Sequence, residues 1–152
     1  MKKCWLTRGI TISLTLCVVL LVWVSAAMCD QKKAPEIKAD KTQFVAYYFF
    51  TNKRCRTCKT IEQLTREAIE QNFKDQLASG RLKWQPTNVE ESGNKHFIQD
   101  FQLYTKSVVI AEYKDDKPVR WVNLEKIWQL YGDREKYFDY LAGETKSFME
   151  KN

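Results

Sequence analysis

Seven consecutive apolar or aromatic residues, Phe44-Val45-Ala46-Tyr47-Tyr48-Phe49-Phe50, make a run too continuous for a half-exposed strand and too short for a helix. It predicts a central β-strand covered on both faces. From Cys58 onward the apolar positions Ile61, Leu64, Ala68, Phe73 and Leu77 keep helical spacing, with Glu62, Arg66, Glu67, Glu70 and Lys74 outside the stripe and Gly80 as terminator. A short second strand is expected around Leu82 and Trp84, where Pro86 limits the ladder. Ser92-Gly93-Asn94 reads as a turn and cap, and Phe97, Ile98 and Phe101 as the stripe of a short helix ending near Tyr104. His96 flanks that stripe as a surface or cap histidine.

Ser107-Val108-Val109-Ile110-Ala111-Glu112-Tyr113 is the clearest β-branched strand. Lys114-Asp115-Asp116-Lys117 turns it, and residues 118–122 return with Val119 and Trp121 as hairpin partners. Leu124, Ile127, Trp128 and Tyr131 predict a helix behind an Asn123 cap, broken at Gly132-Asp133. Tyr137, Phe138, Leu141 and Phe148 continue the helical pattern to the C-terminus. The aromatic stripes read as packing. The resulting order is strand, helix, strand, helix, strand, strand, helix: an α/β domain over residues 42–152 with a four-stranded mixed sheet, a βαβ half followed by a ββα half, flanked by helices.

Residues 1–29 are a different material. Lys2, Lys3 and Arg8 form a positive start, residues 10–24 are fifteen positions without a charge, and Ser25-Ala26-Ala27 follows. That is the anatomy of an export signal, with cleavage after Ala26 or Ala27. Two alternatives stand beside it: residues 9–28 are long enough to span a bilayer as a retained tether, or Cys29 carries a lipid. Residues 30–41, DQKKAPEIKADK, are polar and charged and read as a linker. An oxidising, periplasmic or extracytoplasmic compartment follows from export.

Charge changes with the leader. The chain carries +6, but residues 30–152 hold 22 basic residues against 19 acids, which leaves +3. Nucleic acid is therefore not expected as a partner. The chain contains one histidine, no Gly-rich phosphate loop and no metal-ligand cluster in its sequence pattern, so neither hydrolase chemistry nor a cofactor is implied.

The candidate chemistry lies between the first strand and the first helix, at Cys55-Arg56-Thr57-Cys58. Thiols at i and i+3 around the first helical turn face one side, close enough to form a small disulfide ring. Orphan N–H groups and the helix dipole favour an anion there, lowering the first thiol from about 8.5 into the ~3.5–7.5 range. Lys53, Arg54, Arg56 and Lys59 push the same way. Cys55 is the expected attacking thiolate and Cys58 the shielded resolving thiol. Half a zinc site would need about two more Cys or His ligands, and beyond residue 29 only His96 is a candidate. An inert buried pair is the other bland alternative. A CxxC between an apolar strand and a helix has a thioredoxin-like context.

Tyr47-Tyr48-Phe49-Phe50, Arg54-Cys55, Thr57-Cys58, Ile61-Glu62, Leu103-Tyr104-Thr105-Lys106-Ser107-Val108-Val109, Trp121 and Asn123-Leu124 together resemble a bacterial family, the thioredoxin-like nitrophenyl-compound nitroreductase subunit ArsF family. The resemblance runs from about Val45 to the C-terminus. It implies an exported or membrane-tethered thioredoxin fold working beside membrane electron-transfer components. Ordinary thioredoxins carry a cis-proline before the third strand, and Lys106-Ser107-Val108 has no proline. They also carry a buried acid six residues before the first cysteine, where this chain has Phe49. Without that acid Cys58 has no evident proton acceptor. Lys106 and Ser107 are candidates to bring a cation and a hydroxyl near the thiols, with an ordinary strand start as the alternative.

The leading expectation is an exported dithiol–disulfide protein, a subunit of a membrane-linked redox system supplied by a membrane dithiol carrier or another redox protein. The alternatives are dithiol capture of a soft ion such as arsenite or Cu(I), and an interaction subunit whose CxxC only staples a loop.

Overall fold

The computed structural model describes residues 42–151. The expected leader, membrane tether and linker lie outside these residues. The elements are β1 (Gln43–Phe50), α1 (Arg56–Asn72), α2 (Lys74–Ala78), β2 (Leu82–Asn88), a 3-10 turn (Ser92–Asn94), α3 (Phe97–Asp100), β3 (Ser107–Lys114), β4 (Lys117–Asn123), α4 (Ile127–Leu130) and α5 (Arg134–Glu150). They form an α/β fold around one mixed sheet of order β2-β1-β3-β4. β1 runs parallel to β2 and antiparallel to β3, and β3 runs antiparallel to β4. This arrangement is consistent with a thioredoxin-like domain.

The strand period of two explains why β1 reads as an unbroken apolar run: both of its faces are buried. Phe44, Ala46 and Tyr48 join Ile61, Ala68 and Ile69 of α1 and Tyr137 and Leu141 of α5 on one side. Val45, Tyr47 and Phe49 join Val89 and Phe101 on the other. β3 is divided the same way, Val108 and Ile110 on the first face and Val109 and Ala111 on the second. Pro86 is tolerated because β2 is an edge strand. The β3–β4 turn uses Asp115 and Asp116 at φ 50° and 61°, the left-handed pair of a two-residue hairpin loop.

Four local expectations need correction. The long first helix is two helices: Phe73, at φ −128°, leaves the helical path while its ring stays in the core. Asn123 does not cap a helix. Its backbone continues the ladder opposite Val109, and α4 begins only after Lys126, which makes no side-chain cap bond. The helix drawn from Phe97 to Tyr104 ends at Asp100, followed by Gln102 at φ 50°. Ile98, assigned to its buried stripe, is 41% exposed, while Phe97 and Phe101 pack inward.

Candidate functional site

The C-terminal end of β1 delivers the chain into the loop at residues 51–55, and the loop is held from several sides. The Asn52 backbone N–H donates to Glu90 Oε2 at 2.7 Å, and Asn88 Nδ2 donates to Asn52 Oδ1 at 2.8 Å. Thr51 Oγ1 donates to the Lys53 carbonyl at 3.3 Å. α1 then starts at Arg56 with Cys55 as its N-cap, in extended backbone conformation (φ −77°, ψ 165°). The Cys55 sulfur accepts from the Cys58 backbone N–H at 3.1 Å. A sulfur thus occupies the place where a serine or aspartate oxygen usually satisfies an orphan helix donor.

Cys55 and Cys58 are joined by a disulfide, with their Cα atoms 5.1 Å apart. The two sulfurs are unequal in access. Cys55 is exposed, whereas Cys58 is 2% exposed. An external thiolate therefore reaches Cys55 and not Cys58, the geometry for exchange at one sulfur with the other as leaving group.

Beneath Cys58 lies Tyr48. It is wholly buried, and its hydroxyl donates to the Cys58 carbonyl at 2.7 Å. Burial pushes the phenol up to about 12, opposed by the nearby Arg54 charge. Deeper in the same face, Thr65 Oγ1 donates to the Ile61 carbonyl at 2.7 Å and pairs with Tyr137 Oη at 2.7 Å. Phe49, six residues before Cys55, points to the opposite face among Val89, Phe101 and Phe97. Counting residues back from the cysteine selected the wrong side of the sheet, because adjacent strand residues alternate faces. The position under the disulfide loop is Tyr48.

The four loop cations do not act alike. Lys53, Arg56 and Lys59 are exposed around Cys55, and Thr57 is half-buried. Arg54 is folded back: its guanidinium lies 4.1 Å from the Phe50 ring centroid and is ion-paired with Glu62. Its Nε is buried without a hydrogen-bond partner among the described residues. The helical pattern sets Glu62 outside the apolar stripe of α1. Its spacing of four from Cys58 was the available signal, since it puts both side chains on one helix face.

Ser107 and Lys106 lie across from the end of β1, with Ser107 in register with Phe49. The Ser107 hydroxyl donates to the Thr105 carbonyl at 3.0 Å, and the Lys106 carbonyl accepts from Trp128 Nε1 at 3.1 Å. Lys106 also lines a cavity of about 300 Å3 with Phe50, Thr51, Ile98 and Tyr104. The cysteines do not line it. His96 stands at the α3 N-terminus, makes no side-chain cap bond, and lies 3.9 Å from Asp100.

Among the described residues no group of three or more His, Cys, Asp or Glu is placed to hold a metal ion. Among the same residues no helix is long and apolar enough to cross a membrane. No protein-family model matches the chain. No characterised protein matches it in sequence. Among solved structures it is similar to one described as "Structure of a malarial protein", at 17% identity and TM-score 0.33, covering 53% of this chain and 80% of that one. A likeness at that score carries no argument.

Proposed function

We propose that this chain is an exported thioredoxin-like protein that carries out thiol–disulfide exchange through Cys55 and Cys58. The observation that supports it best is the disulfide between an exposed cysteine at a helix N-cap and a buried one a turn inside. A thiolate of a dithiol partner attacks Cys55 Sγ. The Cys55–Cys58 bond breaks and Cys58 leaves as a thiolate, which takes up a proton. The partner's second thiol then attacks its own sulfur in the mixed disulfide and releases Cys55. The partner ends as a disulfide and this chain as a dithiol, with two electrons transferred. The reduced pair hands the electrons on by the reverse chemistry, with Cys55 attacking and Cys58 resolving.

Residues 1–29 support export, as a cleaved signal or as a retained or lipidated tether, to a compartment where a membrane dithiol carrier or another redox protein is the proposed electron source. The resemblance to the ArsF-type nitroreductase subunits supports membership of a membrane-linked redox system.

Cys58→Ser in the full-length chain is the test. Cys55 then has no resolving partner, so a mixed disulfide through Cys55 should accumulate and be recoverable on a non-reducing gel. Absence of any Cys55 adduct in the producing cell, while Cys55 itself stays alkylatable, would remove the exchange reading.

A further inference from the structure

Arg54 and Glu62 flank the disulfide in the chain. Arg54 precedes Cys55 in the chain, and Glu62 lies one helical turn beyond Cys58, where i and i+4 side chains sit about 5–6 Å apart at Cβ. The ion pair between them bridges the loop and the helix, each partner side chain being 26% exposed. The Phe50 ring also holds the guanidinium, at 4.1 Å from its centroid. Arg54 therefore has two tethers, only one of them ionic. Its charge reaches the Tyr48 hydroxyl, which itself bonds the Cys58 carbonyl. The remaining titratable groups beside the dithiol are Lys53 in the loop, Arg56 and Lys59 on α1, and Tyr48 from β1 beneath Cys58. Glu62 is the acid among them; Glu90 is engaged with the Asn52 backbone.

We infer that Glu62 is a positioning residue that occupies the Arg54 guanidinium and so withholds its charge from the Cys55 thiolate, keeping the reduced pair less acidic and the disulfide harder to reduce. The inference rests on the exchange reading above. A thiolate formed at Cys55 competes with Glu62 for Arg54, and Glu62 adds its own repulsion from one turn away. Removing the carboxylate leaves Arg54 in place over Phe50 with its charge uncompensated. The reduced form is then stabilised, and the pair becomes more oxidising.

The experiment uses the full-length chain and four proteins: wild type, Glu62→Gln, Arg54→Met, and both together. Alkylation of Cys55 is followed against pH by mass spectrometry of its peptide, so that Cys4, Cys17 and Cys29 do not contribute. Equilibration with glutathione gives the disulfide stability. Glu62→Gln should move the Cys55 alkylation midpoint down in pH and shift the glutathione equilibrium toward the dithiol by about tenfold, about 30 mV for a two-electron couple. Arg54→Met should move both the opposite way, because it leaves Glu62 unpaired. The double variant should return close to wild type. An unchanged or raised midpoint in a folded Glu62→Gln protein overturns the inference while leaving the exchange reading intact. A wild-type pair that does not cycle with glutathione overturns both.

Discussion

Tyr48 ties the disulfide loop to the sheet. Its hydroxyl donates to the backbone carbonyl of Cys58, the buried one of the two cysteines, and the phenol is wholly enclosed. Tyr48→Phe keeps the ring and removes the bond, so it should cost about 0.5–1.5 kcal/mol, read by urea denaturation of the oxidised protein. The same residue gives a pH dependence of known sign. The folded phenol is raised to about 12, against about 10 when unfolded. The unfolded chain therefore loses that proton first, and the stabilisation is fully present below pH ~10 and lost as pH rises toward ~12. Tyr47 and Tyr137 are raised by burial as well and act in the same direction. In Tyr48→Phe the alkaline fall in stability should be shallower than in wild type. An identical slope would show that Tyr48 does not stay protonated in the fold. From the sequence, Tyr48 was legible as a core aromatic but not as the residue under Cys58, because its role depends on which face of β1 turns toward α1.

Elements end here for reasons that single residues can test. Gly80 closes the α2–β2 connection at φ +72°, and its carbonyl accepts from Gln43 Nε2 at 3.2 Å. A side chain there forces a left-handed backbone on a branched residue, so Gly80→Val should destabilise by roughly 1–2 kcal/mol. Gly143 lies exposed inside α5, at an ordinary φ, and an added Cβ meets nothing within 4 Å. Gly143→Ala should therefore stabilise by about 0.5–1 kcal/mol. Paired thermal melts check both, and the prediction fails if the two shifts share a sign. Gly80 as a stop was legible in the sequence, since it closes an apolar stripe at helical spacing. The break at Phe73 was not: Phe73 continues the same stripe into the core, and only its backbone, at φ −128°, shows that the chain leaves the helix there.

For the whole molecule, the disulfide closes a loop of only three residues' separation at the N-terminus of α1, a helix the core already holds. Chain entropy gives so short a loop at most about 2 kcal/mol, against the ~5–15 kcal/mol typical of a domain. Dithiothreitol should leave the far-ultraviolet circular dichroism unchanged and lower the melting temperature by a few degrees. Unfolding on reduction would mark the pair as a staple and remove the redox reading. The chain alone was enough to establish the order of the four strands and the two thiols at the mouth of a helix, because periodicity and spacing are local information carried within a few residues. The tertiary structure decided the rest. It set Tyr48 rather than Phe49 beneath Cys58, drew Arg54 back from the loop cations onto Glu62 and Phe50, and left Ile98 and Tyr104 in the open. Each depends on which surfaces meet across the sheet, and no local spacing encodes that.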